Sequence, residues 1–68
     1  MSDFKGRVMQ EKDELDDKLA KLRKFISSNP AFAVLDDREK IRLRAQAHVM
    51  GQYSQILGER ITAFDQRV

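Results

Sequence analysis

The chain has 68 residues, and its 13 basic and 11 acidic residues leave a formal net charge of +2. This length allows one domain, and the near balance of charge excludes a strongly basic tail for long nucleic acids. Because the chain has no cysteine, disulfides and thiolate metal sites are excluded, and we expect neither a metal nor another cofactor.

The first predicted helix covers about residues 3–28. Ser2 or Asp3 can cap its start, and Pro30 ends it because a proline keeps the preceding Asn29 out of the helical region. Its apolar residues lie close to helical spacing, at Phe4, Val8, Leu15, Leu19, Leu22, Phe25 and Ile26.

A short connection follows, with a helical turn predicted over residues 30–34. Asn29 can cap this turn, since Pro30 suits the first position of a helix. The connection also contains three apolar residues that we expect to close the end of the core, namely Phe32, Val34 and Leu35.

The second long helix is predicted over residues 37–66. Asp36 can serve as its N-cap, with Glu39 three residues later as in a capping box. Apolar residues recur every seven positions, which is typical of an amphipathic or coiled-coil helix. They are Leu43, Met50, Leu57 and Phe64.

The short connection places the two long helices antiparallel, so we predict an all-α hairpin with a short extra helical turn. The apolar stripes match when the numbers of facing residues sum to about 65, which puts Gly6 level with Gly58. A chain this small forms only a marginal core alone, and we therefore expect a homo-oligomer. The hairpin leaves several apolar residues uncovered, namely Ala45, Val49, Tyr53, Ile56 and Phe64.

The sequence offers little for catalysis. It has no glycine-rich phosphate loop, no cluster of metal ligands, and a single histidine, His48. The carboxylates of Asp16 and Asp17 point about 100° apart on a helix and cannot act together on one substrate. The same holds for Asp36 and Asp37, so we predict that the protein is not an enzyme.

A basic segment spans residues 18–44 at the connected end of the hairpin. It holds eight basic and three acidic residues, a net +5, whereas the rest of the chain carries −3. Four of these cations lie in the opening turns of the second helix, where the helix dipole disfavours them. An anionic ligand, or acidic groups of another subunit, would relieve this, but a solvated charged face is also a sufficient explanation.

The open end of the hairpin is a second candidate site. Gly6 and Gly58 would leave space there, the guanidinium groups of Arg7 and Arg60 suit phosphate, and the ring of Phe4 can stack on a base. These features fit a small anionic ligand that contains a base. In the alternative interpretation Gly6 loosens the terminus, Gly58 permits close packing, and Phe4 belongs to the core.

Apolar and charged positions recur along the chain in a recognisable pattern. The first part reads Arg7-Val8-x-x-Glu11, Glu14-Leu15-x-x-Lys18-Leu19-x-x-Leu22-x-x-Phe25-Ile26 and Phe32-x-x-Leu35. The second part reads Met50-x-x-Tyr53-x-x-Ile56-Leu57-x-x-Arg60-Ile61. This pattern, over residues 4–61, resembles the phage anti-CBASS sponge proteins, a family of small helical proteins of tailed phages.

The resemblance implies a compact helical protomer that assembles into a homohexamer in the host cytoplasm. It implies a sponge that sequesters cyclic oligonucleotide second messengers without cleaving them and so inhibits host CBASS-type immunity. Cyclic dinucleotides would lie between protomers, and cyclic trinucleotides would occupy separate pockets. No membrane and no long nucleic acid is implied as a partner.

The resemblance also implies ligand-binding residues. Phe4 would stack on a base, Lys18 would contact phosphate, and Arg60 would serve the trinucleotide pocket. Arg7 is a further candidate from its predicted place at the open end, and not from the resemblance. The family is expected to carry a tyrosine where this chain has Phe4, so a hydroxyl contact would be lost while stacking could persist.

A second function stays open from the sequence. A small helical interaction protein could bind a host or phage protein through the basic segment at the connected end of the hairpin and have no small-molecule ligand. Both functions suit a soluble, intracellular protein, which the sequence predicts because it has no long apolar run and no signal-peptide pattern.

Overall fold

The computed structural model describes residues 4–65, which form three helices and no strand. Helix α1 covers Phe4–Ser28, α2 covers Pro30–Ala33, and α3 covers Asp37–Asp65. The long helices α1 and α3 pack along each other in a hairpin with extents of 52 × 15 × 14 Å. The predicted all-α hairpin with a short extra helical turn is therefore confirmed. The expected cap at Ser2 or Asp3 and the expected helix end at residue 66 lie outside the described residues.

The two internal caps form as predicted. The Ala31 N–H donates to Asn29 Oδ1 at 2.8 Å, and the Glu39 N–H donates to Asp36 Oδ1 at 2.8 Å. These bonds satisfy N–H groups that the start of a helix leaves without an internal partner. The carboxylate of Glu39 accepts a hydrogen bond from Arg42 Nε at 2.8 Å, so it interacts along the surface of α3.

The core is a narrow seam closed at one end by α2. Its buried apolar side chains are Val8, Leu19, Phe32 and Leu57. The Phe32 ring packs edge-on against Phe25, with the ring centroids 6.0 Å apart. The expectation that Val34 also closes the core is wrong, because Val34 is 85 % exposed. It follows Phe32 by two residues, about 200° around the helical turn, and so faces outward when Phe32 faces inward.

The predicted register between the long helices is wrong. The contact between Leu19 and the Gly51 position, and the hydrogen bond between Asp16 and Ser54, both join residues whose numbers sum to 70 rather than 65. Relative to the prediction, each residue of α1 therefore faces a position five residues further along α3, a displacement of about 7.5 Å. Apolar spacing alone did not fix this register because the contacts that decide it involve a glycine and two polar side chains.

The outer face of α3 carries exposed apolar side chains. Ile41 is 63 % exposed, Val49 61 % and Ile56 53 %. All three lie about 140–160° around α3 from the buried Ser54, so they form one stripe turned away from α1. Of the residues expected to be uncovered by the hairpin, Phe64 is half-buried, and the others are exposed, namely Ala45, Val49, Tyr53 and Ile56.

Candidate functional sites

The four predicted ligand-binding side chains are all exposed on the hairpin: Phe4, Arg7 and Lys18 on α1, and Arg60 on α3. Phe4 is 62 % exposed, so it is not a core residue of the single chain. Phe4 and Lys18 are separated by about 21 Å along α1, since a helix rises about 1.5 Å per residue. One chain therefore does not bring these two side chains to the same nucleotide.

Arg7 and Arg60 lie at the open end of the hairpin and on the same face of it. In the observed register the two residues differ in level by about 4–5 Å along the helix axis. Arg7 is about 140° around α1 from Lys12, and Arg60 is about 160° around α3 from Gly58. Because Lys12 contacts the Gly58 position, both arginines are turned away from that contact.

The space predicted between Gly6 and Gly58 is not present. A Cβ atom at Gly58 would lie 3.3 Å from Lys12 Cε, so the lysine side chain covers this glycine. Gly6 precedes Lys12 by six residues, about 9 Å along α1, and is therefore not level with Gly58. Gly51 is covered in the same way, because a Cβ atom there would lie 3.1 Å from an Nη atom of Arg23.

The structure instead reveals a polar cluster of Lys12, Asp16 and Ser54 across the two long helices. Lys12 Nζ donates to Asp16 Oδ2 at 2.7 Å and to Ser54 Oγ at 3.0 Å, and the Ser54 hydroxyl donates to Asp16 Oδ1. Ser54 is 8 % exposed. Sequence reasoning missed this cluster, although Gly51, Ser54 and Gly58 are spaced by three and four and so place small residues on one side of α3.

The pKa of the Asp16 carboxyl lies below its usual value. The main cause is the hydrogen bond from Lys12, and the second is the hydrogen bond from Ser54. Lys12, Asp16 and Ser54 satisfy one another's hydrogen bonds across the two long helices. The arrangement suits a structural contact between helices.

The connected end of the hairpin concentrates positive charge around two phenylalanine rings. Lys40 Nζ lies 5.9 Å and Arg44 Cζ lies 5.1 Å from the centroid of the Phe32 ring. We call these two cations, together with Lys21 and Lys24 of α1, the basic hairpin end. A cavity of about 310 Å³ opens at the basic hairpin end, on the side formed by α1. It is lined by Lys21, Lys24, Phe25, Ser28, Asn29 and Pro30.

Comparison with known protein families identifies the family of this helical hairpin. The family model named Sequestin matches residues 2–63, which is most of the chain. The chain belongs to the Sequestin family. No curated protein and no solved structure gives a significant match.

The Sequestin name indicates that the protein binds and sequesters a ligand. This accords with the predicted sponge at the level of a sequestering role. Across residues 4–65 no group of three or more histidine, cysteine or acidic side chains is placed to hold a metal ion. In the same part of this Sequestin chain no helix is long and apolar enough to cross a membrane.

Proposed function

We propose that this Sequestin is a phage-encoded sponge that binds cyclic di- or trinucleotide second messengers in the host cytoplasm without cleaving them. By holding the messenger, the protein would inhibit CBASS-type immunity of the host. The observation that carries the proposal is the family match over residues 2–63, because the family name denotes sequestration. The exposed cations of the hairpin supply the positive charge that a ligand with two or three phosphates requires.

The separation of Phe4 from Lys18 supports a site shared between chains. If Phe4 stacks on a base and Lys18 contacts phosphate, the distance of about 21 Å along α1 requires that the two side chains come from different protomers. A cyclic dinucleotide would then lie in the interface between two chains. This arrangement makes ligand binding depend on assembly, which we propose to be a homohexamer.

The exposed stripe of Ile41, Val49 and Ile56 supports assembly independently. These side chains are more than half exposed on the single chain, and fully burying a side chain of this kind stabilises a protein by about 1.5–3 kcal/mol. Contact between copies of α3 would remove this apolar surface from water. The assembly would thereby compensate for the small core of a 68-residue chain.

Arg60 and Arg7 are proposed for the cyclic trinucleotide. Both guanidinium groups lie exposed at the open end on the same face of the hairpin. Guanidinium groups bind phosphate through two parallel hydrogen bonds, which suits a ring of three phosphodiesters. Phe4 provides an aromatic ring at the same end, at the start of α1.

Thermal unfolding with and without ligand tests the sponge. We expect 3′,3′-cyclic GMP–AMP or a cyclic trinucleotide to raise the melting temperature, since a ligand that binds only the folded protein stabilises it. The nucleotide recovered after denaturation should be intact by chromatography. Hydrolysed product would show an enzyme, and no shift with any cyclic di- or trinucleotide would refute the sponge.

The rival function is a helical interaction protein without a small-molecule ligand. The apolar stripe on α3 is the observation that favours it, because such a surface can also bind a foreign helix. Purification of the tagged protein from host lysate separates the two proposals. A stoichiometric host protein, together with no response to cyclic nucleotides, would favour the rival.

A further inference from the structure

The cavity at the basic hairpin end lies outside the residues used by the proposed sponge. We propose that it binds a second kind of ligand, a phosphate ester of the size of a nucleoside mono- or diphosphate. The ammonium groups of Lys21 and Lys24 would bind the phosphate, and the Phe25 ring would form an apolar wall for the rest of the ligand. The cavity volume of about 310 Å³ is at the lower end of the range of about 300–1,000 Å³ seen for small-molecule sites.

The charge at this end is not neutralised by nearby carboxylates. Within the described residues, Lys24, Lys40 and Arg44 form no ion pair. Lys21 pairs with Asp17 at 3.0 Å, but both side chains are well exposed, at 77 % and 65 %. An exposed pair of this kind contributes little to stability because solvent screens it, so a phosphate can replace the carboxylate.

The lysine amines are also not required to complete the end of α1. The carbonyl of Lys24 accepts a hydrogen bond from Ser28 Oγ at 2.9 Å, and the carbonyl of Phe25 accepts one from the Asn29 N–H at 3.2 Å. The C-terminus of a helix carries a partial charge of about −0.5, which opposes an anion. Two ammonium groups exceed that charge, so the cavity as a whole attracts phosphate.

Two further cations lie on the Phe32 side of the contact between Phe25 and Phe32 and add to the positive potential. Lys40 and Arg44 lie over the Phe32 ring and are four residues apart on α3. Like charges at this spacing destabilise a helix, and a nearby anion reduces that repulsion. Phe32 packs against Phe25, which lines the cavity, so these two cations lie one ring away from the cavity and do not line it.

The test is a titration of the protein with three probes, in which binding is followed by the chemical shifts of backbone amides. ADP carries both phosphate and a ring system, pyrophosphate carries charge alone, and adenosine carries the rings alone. We expect ADP to shift the amides of residues 21–29, pyrophosphate to shift them at higher concentration, and adenosine to leave them unchanged. Equal affinities for ADP and pyrophosphate would show that the site binds inorganic phosphate groups alone. That result would overturn the proposal of a phosphate ester as the ligand.

Matched variants separate a built site from diffuse attraction. Lys24→Gln and Lys21→Gln should each weaken ADP binding by at least about fivefold, since each removes a charge-assisted hydrogen bond. Arg38→Gln removes the same charge at the same end of the molecule but does not line the cavity, and it should change affinity less than about twofold. An equal loss in Arg38→Gln would overturn the proposal. The proposal would also be overturned if the amides of residues 21–29 respond to none of the three probes. That result is expected if another copy or an acidic protein covers the cavity.

Discussion

The hydroxyl of Ser54 donates a hydrogen bond to the carboxylate of Asp16, and this bond crosses the interface between the two long helices. Lys12 donates to both groups, so all three polar side chains satisfy one another. Loss of the bond to Asp16 would leave the nearly buried Ser54 hydroxyl without its acceptor, at a cost of about 1–3 kcal/mol. We infer that this cluster selects the observed register among those that the apolar stripes allow.

Acid should weaken the folded protein through Asp16. Its pKa in the folded state lies below the ordinary value of 3.8, so the ionised carboxylate stabilises the folded state at neutral pH. This contribution is fully present above the ordinary value and is lost as the pH falls through the lowered folded value. We therefore expect Asp16→Asn to flatten the loss of stability below about pH 4, measured by urea unfolding at a fixed protein concentration.

Asp17→Asn is the matched control for that measurement. Asp17 is adjacent in the chain, but its carboxylate pairs with Lys21 at the surface rather than across the hairpin. Its variant should keep the acid dependence of the parent protein. If both variants flatten the profile equally, the polar cluster is not the source of the acid sensitivity.

Gly58→Ala should stabilise the protein. Alanine is favoured over glycine inside a helix by about 0.8–1.0 kcal/mol, and the new Cβ would lie 3.3 Å from Lys12 Cε. That atom is near the end of a flexible side chain and can move by a few tenths of an ångström. The melting temperature should rise by several degrees, since about 1 kcal/mol corresponds to about 4–8 °C in a domain of this size.

Gly51→Ala provides a comparison for Gly58→Ala. Its new Cβ would meet an Arg23 Nη atom at 3.1 Å and Leu19 Cδ2 at 4.0 Å, so the gain should be smaller. A fall in melting temperature for Gly58→Ala would show that Lys12 is held rigidly and that this glycine is required for the helices to approach.

Leu57 and Ile56 are adjacent residues with opposite environments. Leu57 is 0 % exposed and Ile56 is 53 % exposed. Leu57→Ala should cost about 2–5 kcal/mol of unfolding free energy, as is usual for a fully buried leucine. Ile56→Ala should leave the unfolding free energy of a dilute single chain nearly unchanged. It should make the oligomer dissociate at a higher protein concentration, measured by light scattering. An oligomer unaffected by Ile56→Ala would show that the α3 stripe is not its interface.

Lys18→Gln and Arg60→Gln should separate the two classes of cyclic nucleotide. The resemblance to the sponge family assigns Lys18 to the dinucleotide and Arg60 to the trinucleotide, and the two residues lie on different helices. Each variant should weaken one ligand by about tenfold or more, as expected for loss of a charge-assisted hydrogen bond. The measurement is calorimetric titration with both ligands. Equal losses for both ligands in both variants would contradict separate sites.

Local structure was readable from the sequence because its causes are local. Asn29 caps α2 and Asp36 caps α3 through bonds that span only two or three residues. Pro30 fixes where α1 must stop, and the spacing of Leu43, Met50 and Leu57 predicts one long helix. The candidate site was less readable, because Phe4, Lys18 and Arg60 were assigned through resemblance, which gives no distances between them.

The sequence alone therefore determined that this chain is helical, where α1 ends and where α2 and α3 begin, and that it folds back as a hairpin, since these follow from short-range bonds and apolar periodicity. Only the tertiary structure decided how the helices are aligned. The apolar spacing also fits the register that was predicted from the sequence, and the observed one is marked by side-chain contacts between distant residues, here Lys12 with Gly58 and Asp16 with Ser54. The same contacts fill the space that the sequence had suggested for a ligand.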